Sequence, residues 1–220
     1  DGEGSPATIP SDIEAFEKSM ILYAEHSFNA STFAARVITS TNSDTWSAVT
    51  GAIGALKGPL HGGANEFVMH NFVEIDDPAK AEEWTLDKLK NKELVMGFGH
   101  RVYKNYDPRA AIVKETAHEI IDHLGGDPML DLAMKLEDIA LNDDYFVSRK
   151  LYPNVDFYTG LIYRAMGFPT DFFTVLFAIG RLPGWIAHYR EQLAMNSKIN
   201  RPRQIYTGAT KREFVPRDQR

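Results

Sequence analysis

The 220-residue chain contains no cysteine, which excludes disulfides, a thiol nucleophile and zinc–thiolate sites. No apolar run approaches a membrane span, and no basic-then-apolar leader opens the sequence. A cytoplasmic protein with no membrane partner is the resulting expectation. A basic excess is also lacking: 24 Lys and Arg stand against 30 Asp and Glu, for a formal charge of −6. That balance argues against a nucleic-acid partner and repels anionic small molecules at long range. Any anion must therefore be held by local arginines. Strand signal is scarce as well, since only residues 204–215 look strand-like, too few for a sheet. What is present is 44% hydrophobic and 11% aromatic residues, enough to fill a sizeable core.

Helical periodicity accounts for most of the remainder, and the fold class expected is all-α. Residues 1–10, rich in Gly, Pro and small side chains, read as a disordered lead-in. Ser11 and Glu14 then form a capping-box pattern ahead of Ile13, Phe16, Met20 and Tyr23 at helical spacing. Trp46, Val49, Ile53 and Leu56 repeat that period until Gly58-Pro59 stops it. Asp77-Pro78 and Asp127-Pro128 open further helices, with Leu132, Leu136 and Ile139 as the stripe of the second. Gly125-Gly126 ends a helix that begins near Ile112. Residues 171–193 are apolar almost all round, which implies a buried helix, and Pro183 in its middle should kink or break it.

Three stretches each set one proton-handling side chain among turn-forming residues: Gly58-Pro-Leu-His-Gly-Gly-Ala-Asn65, Gly97-Phe-Gly-His-Arg-Val-Tyr103 and Tyr152-Pro-Asn-Val-Asp156. Glycine and proline there let backbone approach a ligand closely, which a core histidine does not require. Two imidazoles and a carboxylate presented this way suit acid–base chemistry. A lone histidine is more often a hydrogen-bonded structural residue, and His70, His118, His123 and His188, in ordinary helical surroundings, are read so or as surface residues. Arg190 and Arg203 read as surface or interface residues, and Asp143-Asp144 as a solvated helix end.

In this order, the three stretches resemble the signature of the citrate synthase and 2-methylcitrate synthase family. The likeness runs from Ala24-Glu-His-Ser-Phe-Asn-Ala-Ser-Thr32 to Arg201-Pro-Arg-Gln-Ile-Tyr-Thr-Gly208. It implies a large and a small helical domain closing over a cleft, in a homodimer. Residues 1–61 and 168–220 would belong to the large domain and 62–167 to the small one. Family members carry a helical region ahead of the segment where this chain starts, so the N-terminal part of the large domain is expected to be missing. The implied reaction is condensation of acetyl-CoA with oxaloacetate to citrate, with acyl-CoA as substrate and no cofactor or metal. By the resemblance, Asp156 is the base, His61 the donor to the thioester oxygen with Ser31 orienting it, and His100 the donor to the oxaloacetate ketone. His26, Asn29, Arg109, Arg181 and Arg201 would bind oxaloacetate, Arg201 in the partner subunit's site. Val95, Met96, Gly97, Phe98 and Gly99 would lie against the CoA adenine, and Lys104 would meet a CoA phosphate.

Arginine's planar fork matches carboxylates bidentately, which suits a dicarboxylate substrate. Arg181 stands among Phe, Leu, Ile and Ala, where an unpaired charge is costly and a bound anion compensates it. Arg109 follows Asp107-Pro108, and a helix-start arginine paired with a nearby acid is the alternative. A metal hydrolase using His26, His61, His100 and Asp156 is a rival reading, but none of them stands in a close metal-ligand pair such as His-x-x-x-His. A non-catalytic fragment of the same fold is a second rival. Between acetyl-CoA and propionyl-CoA, one methylene decides, worth about 1–3 kcal/mol. The early segment through residues 51–59 looks more like 2-methylcitrate synthases, whereas residues 104–109 and 205–208 look more like citrate synthases. Citrate synthase is preferred.

Overall fold

A computed structural model describes residues 10–123, 125–196 and 198–220, so all but the last residue of the expected lead-in lies outside the described residues. Among the described residues the regular structure is helical: α1 (Pro10–Ala24), α2 (Ala30–Thr39), α3 (Thr45–Leu56), α4 (Ala64–Ile75), α5 (Ala81–Lys90), α6 (Pro108–His123), α7 (Pro128–Asn142), α8 (Asp144–Arg149), α9 (Val155–Ala165) and α10 (Phe173–Ala194). The all-α expectation holds. An isolated antiparallel bridge between Phe98 and Pro153 takes the place of a sheet. Residues 204–215 form no strand and are exposed throughout. No helix among the described residues is long and apolar enough to cross a membrane.

Side-chain caps set several helix starts. Asn29, Asp44, Asp127, Asp143 and Asn154 each accept a backbone N–H from the first turn of the following helix, satisfying a donor that has no partner within the helix. The Asp143 cap bears out the reading of that acidic pair as a helix end. Ser11 does not cap α1, because the helix already begins at Pro10, a residue whose fixed φ suits the first helical position. Glu14 instead pairs with Lys18 at 3.1 Å.

Helices α1, α2, α3 and α10 pack together, and α9 lies among α4, α6 and α7, with α1 touching both α6 and α9. Leu132 and Leu136 of the α7 stripe are buried, whereas on α1 and α3 the buried faces match the apolar stripes only at Tyr23 and Leu56. On α1 the buried positions are Asp12, Ala15, Ser19 and Tyr23, while Ile13 is exposed. On α3, Ala48, Ala52 and Leu56 are buried and Trp46 is 82% exposed. Small residues face inward there because α2 and α3 approach closely: a Cβ on Gly51 would lie 2.2 Å from Ile38 Cδ1.

Helix α10 departs from expectation twice. It runs unbroken through Pro183, and it buries one face only, with Val175, Ile179 and Leu182 exposed. Pro183 cannot donate to the carbonyl of Ile179, and both residues lie on the exposed side of the helix, the side on which a carbonyl freed by proline is open to solvent. The buried residues Phe177, Gly180, Arg181, Gly184 and Trp185 flank the proline on the packed side. Gly184 matters most. A Cβ there would sit 2.2 Å from the carbonyl oxygen of Ala24, so only glycine admits the end of α1 this close.

Candidate active site

The end of α1 and the buried face of α10 bring the first charged group into place. Arg181, 1% exposed, donates from Nε to the carbonyl of Tyr23 and lies with its guanidinium carbon 5.0 Å from the centre of the Phe177 ring. Its Nη1 is buried without a partner. Burial, and then the nearby charge of Arg109, lower its pKa to about 10, so it remains charged at neutral pH. A buried guanidinium with an unpaired nitrogen is a demand for an anion.

His26 follows α1 directly. Its ring lies 5.2 Å from that of His100 and 5.7 Å from that of Tyr103, centre to centre. Its Nε2 is also buried without a partner. Burial, with the charge of Arg109 beside it, pulls its pKa down to about 4, so the ring is neutral.

His100 sits in the loop ahead of α6. Its Nδ1 accepts the backbone N–H groups of Val102 at 3.1 Å and Tyr103 at 3.3 Å. Burial and the Arg109 charge lower its pKa. A neutral ring whose Nδ1 is an acceptor carries its proton on Nε2. That nitrogen lies 3.3 Å from Nη2 of Arg109, so two donors stand side by side.

The loop holding His100 is tied to the start of α9, which carries Asp156. Gly99 N–H donates to the carbonyl of Tyr152 at 2.7 Å, and Asn154 N–H donates to the carbonyl of Gly97 at 2.9 Å. Asn154 spans the junction with its side chain, donating to the Gly99 carbonyl and accepting from the N–H of Asp156, both at 3.0 Å. Gly97 makes this possible: its φ is +91°, and a Cβ there would meet Phe157 at 2.7 Å.

Asp156 is partly buried, with Tyr23 Oη 3.5 Å from its Oδ1. Burial raises its pKa to about 6, the charge of Arg109 working against the rise and that of Asp107 adding to it. A carboxylate so tuned is a better base at neutral pH than an ordinary aspartate and is still ionised there.

His61 lies in the turn between α3 and α4. The backbone N–H of Ser31 points at its Nε2 at 3.3 Å, and Ser31 Oγ lies 2.8 Å from the same atom. Nε2 is thus the acceptor, and Nδ1 carries the proton. Burial, then the charge of Arg181, lower the pKa of His61 to about 4. Ser31 is held in turn by Asn29 Oδ1 at 2.8 Å and by the indole N–H of Trp185 at 3.1 Å.

Of the residues singled out in the sequence, His26 and Arg109 each meet His100, the Arg181 charge bears on His26, and the charges of Arg109 and Arg181 bear on Asp156. His61 and Ser31 pair as expected, and Asn29 acts as a cap and as the anchor of Ser31. Arg109 does pair with Asp107, and it keeps its contact with His100. Arg201 is exposed in the segment after α10 and is not among the groups this chain gathers. Met96 and Phe98 turn to the core, Phe98 packing against Phe157 at 4.8 Å, while Lys104 is exposed and close enough to bear on His100. Among the described residues, no three His, Asp or Glu side chains converge as a metal-binding set.

The sequence did not reveal Tyr103, Asn154 or Trp185 as parts of this arrangement, and it offered Asp107 only as an acid near Arg109. Of the first three, only Asn154 carried a signal, as a capping residue ahead of Val155. His188 is no simple surface residue: it lies 2.8 Å from Glu25 and 3.0 Å from Arg36, bracing the segment that ends in His26.

Residues 5–203 match the family model described as citrate synthase, C-terminal domain. A citrate synthase of Corynebacterium glutamicum is 64% identical over 96% of the chain, and citrate synthase 1 of Mycobacterium tuberculosis 55% over 96%. 2-Methylcitrate synthase 2 of Corynebacterium glutamicum is 52% identical over the whole chain. The chain spans 49%, 50% and 56% of these relatives' lengths, about half. Among solved structures, a ternary complex of carboxymethyl coenzyme A and oxaloacetate with citrate synthase from Thermoplasma acidophilum superposes with a TM-score of 0.89 at 42% identity. It aligns over 96% of this chain and 56% of that one. With the family model covering most of its length, this chain belongs to the citrate synthase family.

Proposed function

We propose that the protein condenses acetyl-CoA with oxaloacetate to give citrate and CoA. The observation that carries this reading is the pair of buried, partnerless nitrogens, Arg181 Nη1 and His26 Nε2, together with the donors on His100 and Arg109. Such a set suits the carboxylates and ketone of a 2-oxo dicarboxylate. Asp156 removes a proton from the methyl carbon of the thioester while His61 donates from Nδ1 to the thioester oxygen, so the enol forms without a full unshielded charge. The carbon nucleophile attacks the oxaloacetate ketone, whose oxygen receives a hydrogen bond from His100 Nε2. Water then cleaves the citryl thioester to citrate and CoA. His61 suits its part because a ring with pKa near about 4 stays neutral.

The backbone of residues 95–99 and Lys104 are proposed to hold the CoA. Residues 62–167 would move as a small domain against 1–61 and 168–220, and Arg201 would complete the oxaloacetate site of a second subunit in a homodimer. Cytoplasmic location is proposed with them. A second reading, 2-methylcitrate synthase, is favoured by the relative that is 52% identical, but the 64% citrate synthase relative weighs more.

The test is release of free CoA thiol with acetyl-CoA and with propionyl-CoA, each with and without oxaloacetate. Oxaloacetate-dependent release with a higher kcat/KM for acetyl-CoA is expected. No release from a folded, dimeric preparation overturns the condensation, and a preference for propionyl-CoA transfers the reading to 2-methylcitrate.

A further inference from the structure

Asp107 is 1% exposed, and the proposed reaction assigns it nothing to do. Its carboxylate nevertheless accepts from four N–H groups. Oδ1 takes the backbone N–H of Arg109 at 2.9 Å and its Nε at 3.1 Å. Oδ2 takes Nη2 of Arg109 at 3.0 Å and the backbone N–H of Val155 at 3.2 Å. Val155 opens α9, and Asp156 is the next residue. One buried carboxylate therefore joins the fork of a substrate arginine to the first turn of the helix that carries the base.

The hold is on the Nε–Nη2 edge of the guanidinium. The Nη1–Nη2 edge is left for another carboxylate, and its Nη2 is the atom 3.3 Å from His100 Nε2. We propose that Asp107 is a positioning residue that aims Arg109 at the ketoacid and keeps that arginine off Asp156. The inference rests on the condensation reading. Without Asp107 the fork is free to swing toward Asp156, whose ionised form the Arg109 charge already favours, and a base paired with arginine is a weak one.

Electrostatics agree with the geometry. Asp156 faces Arg109 from α6, Asp107 from the loop before it, Tyr23 from α1 and Arg181 from α10. The two arginines favour its ionised form, and the charge of Asp107 opposes them. A second buried carboxylate, Glu137, supplies the control. It accepts from Tyr106 Oη at 2.8 Å, from Tyr158 Oη at 2.7 Å and from Lys114. It thus braces the same loop and helix while touching neither Arg109 nor Asp156.

The experiment compares Asp107→Asn, Asp107→Glu and Glu137→Gln in the full protein. Carboxyl NMR without substrate follows the titration of Asp156, and steady-state kinetics follow both substrates. Asp107→Asn should move the Asp156 titration below that of the parent and raise KM for oxaloacetate ~10-fold or more, the scale of a lost charge-assisted hydrogen bond. KM for acetyl-CoA should stay unchanged. Asp107→Glu, which keeps the charge at the wrong reach, should restore the titration without restoring KM. Glu137→Gln should lower the melting temperature alone. An unmoved titration and unmoved oxaloacetate KM in Asp107→Asn overturn the proposal. So does an equal rise in both KM values with a melting loss like that of Glu137→Gln. If the parent protein does not condense its substrates, the condensation reading fails, and the NMR titration still decides the case for Asp107.

Discussion

Arg181→Met replaces a buried cation by an apolar side chain of similar volume, and it should stabilise the protein while destroying its hold on oxaloacetate. Folding lowers the pKa of Arg181 from the ordinary arginine value to about 10. A base whose pKa is lowered on folding carries its full penalty wherever the folded state is charged, here at all pH below the folded value. The penalty disappears only as pH rises through that value toward the unfolded one. At ~1.4 kcal/mol per unit the cost is about 3 kcal/mol at neutral pH. Against this stands loss of the hydrogen bond to the Tyr23 carbonyl and of the contact with the Phe177 ring, together worth about 1–2 kcal/mol. The net gain is about 1–2 kcal/mol, or roughly 2–8 °C in melting temperature for a chain of this size. Oxaloacetate should raise the melting temperature of the parent protein by mass action and leave that of the variant unmoved. Thermal melts with and without oxaloacetate decide it. A variant that melts lower than the parent, or that still responds to oxaloacetate, refutes the idea that this guanidinium awaits an anion.

Asp156→Asn and His61→Ala should each abolish condensation yet leave calorimetric binding of oxaloacetate nearly intact, since both groups act on the thioester; near-normal turnover in either would remove its role. The pH profile of kcat/KM should show an acid limb near pH 6 from Asp156, because activity needs its ionised form, and no separate limb from His61 until about pH 4. Gly184→Ala forces a methyl group onto the Ala24 carbonyl; denaturant titration should show a loss of about 1–3 kcal/mol, and an unchanged midpoint would mean that α10 does not need this approach. If Arg201 serves the neighbouring subunit, inactive Arg201→Ala and Asp156→Asn proteins should regain up to about a quarter of parent activity on subunit exchange; no recovery with exchange verified would place Arg201 elsewhere.

The residues that handle protons were legible in the sequence because their neighbours announce them. His61 follows Gly58-Pro59, His100 stands between Gly99 and Arg101, and Asp156 follows the cap residue Asn154; turn and cap chemistry is local, so a linear reading finds it. The caps at Asp127 and the helix stop at Gly125-Gly126 were legible for the same reason. Packing was not. Ile13 and Trp46 look like core residues at helical spacing, but the buried faces of α1 and α3 carry Ala15, Ser19, Ala48 and Ala52, because which face is covered depends on how closely a neighbouring helix approaches. Pro183 has the signature of a helix break, and contacts on either side of it overrule that signature. The tautomers were decided by tertiary structure too: Nδ1 of His100 meets two backbone N–H groups, Nε2 of His61 meets that of Ser31, thirty residues away. Sequence thus determined which side chains could do the chemistry. Only the fold, by burying Arg181 with Nη1 unpartnered and fixing Arg109 between Asp107 and His100, decided the charge and direction with which they meet a ligand, since both depend on distances between residues far apart in the chain.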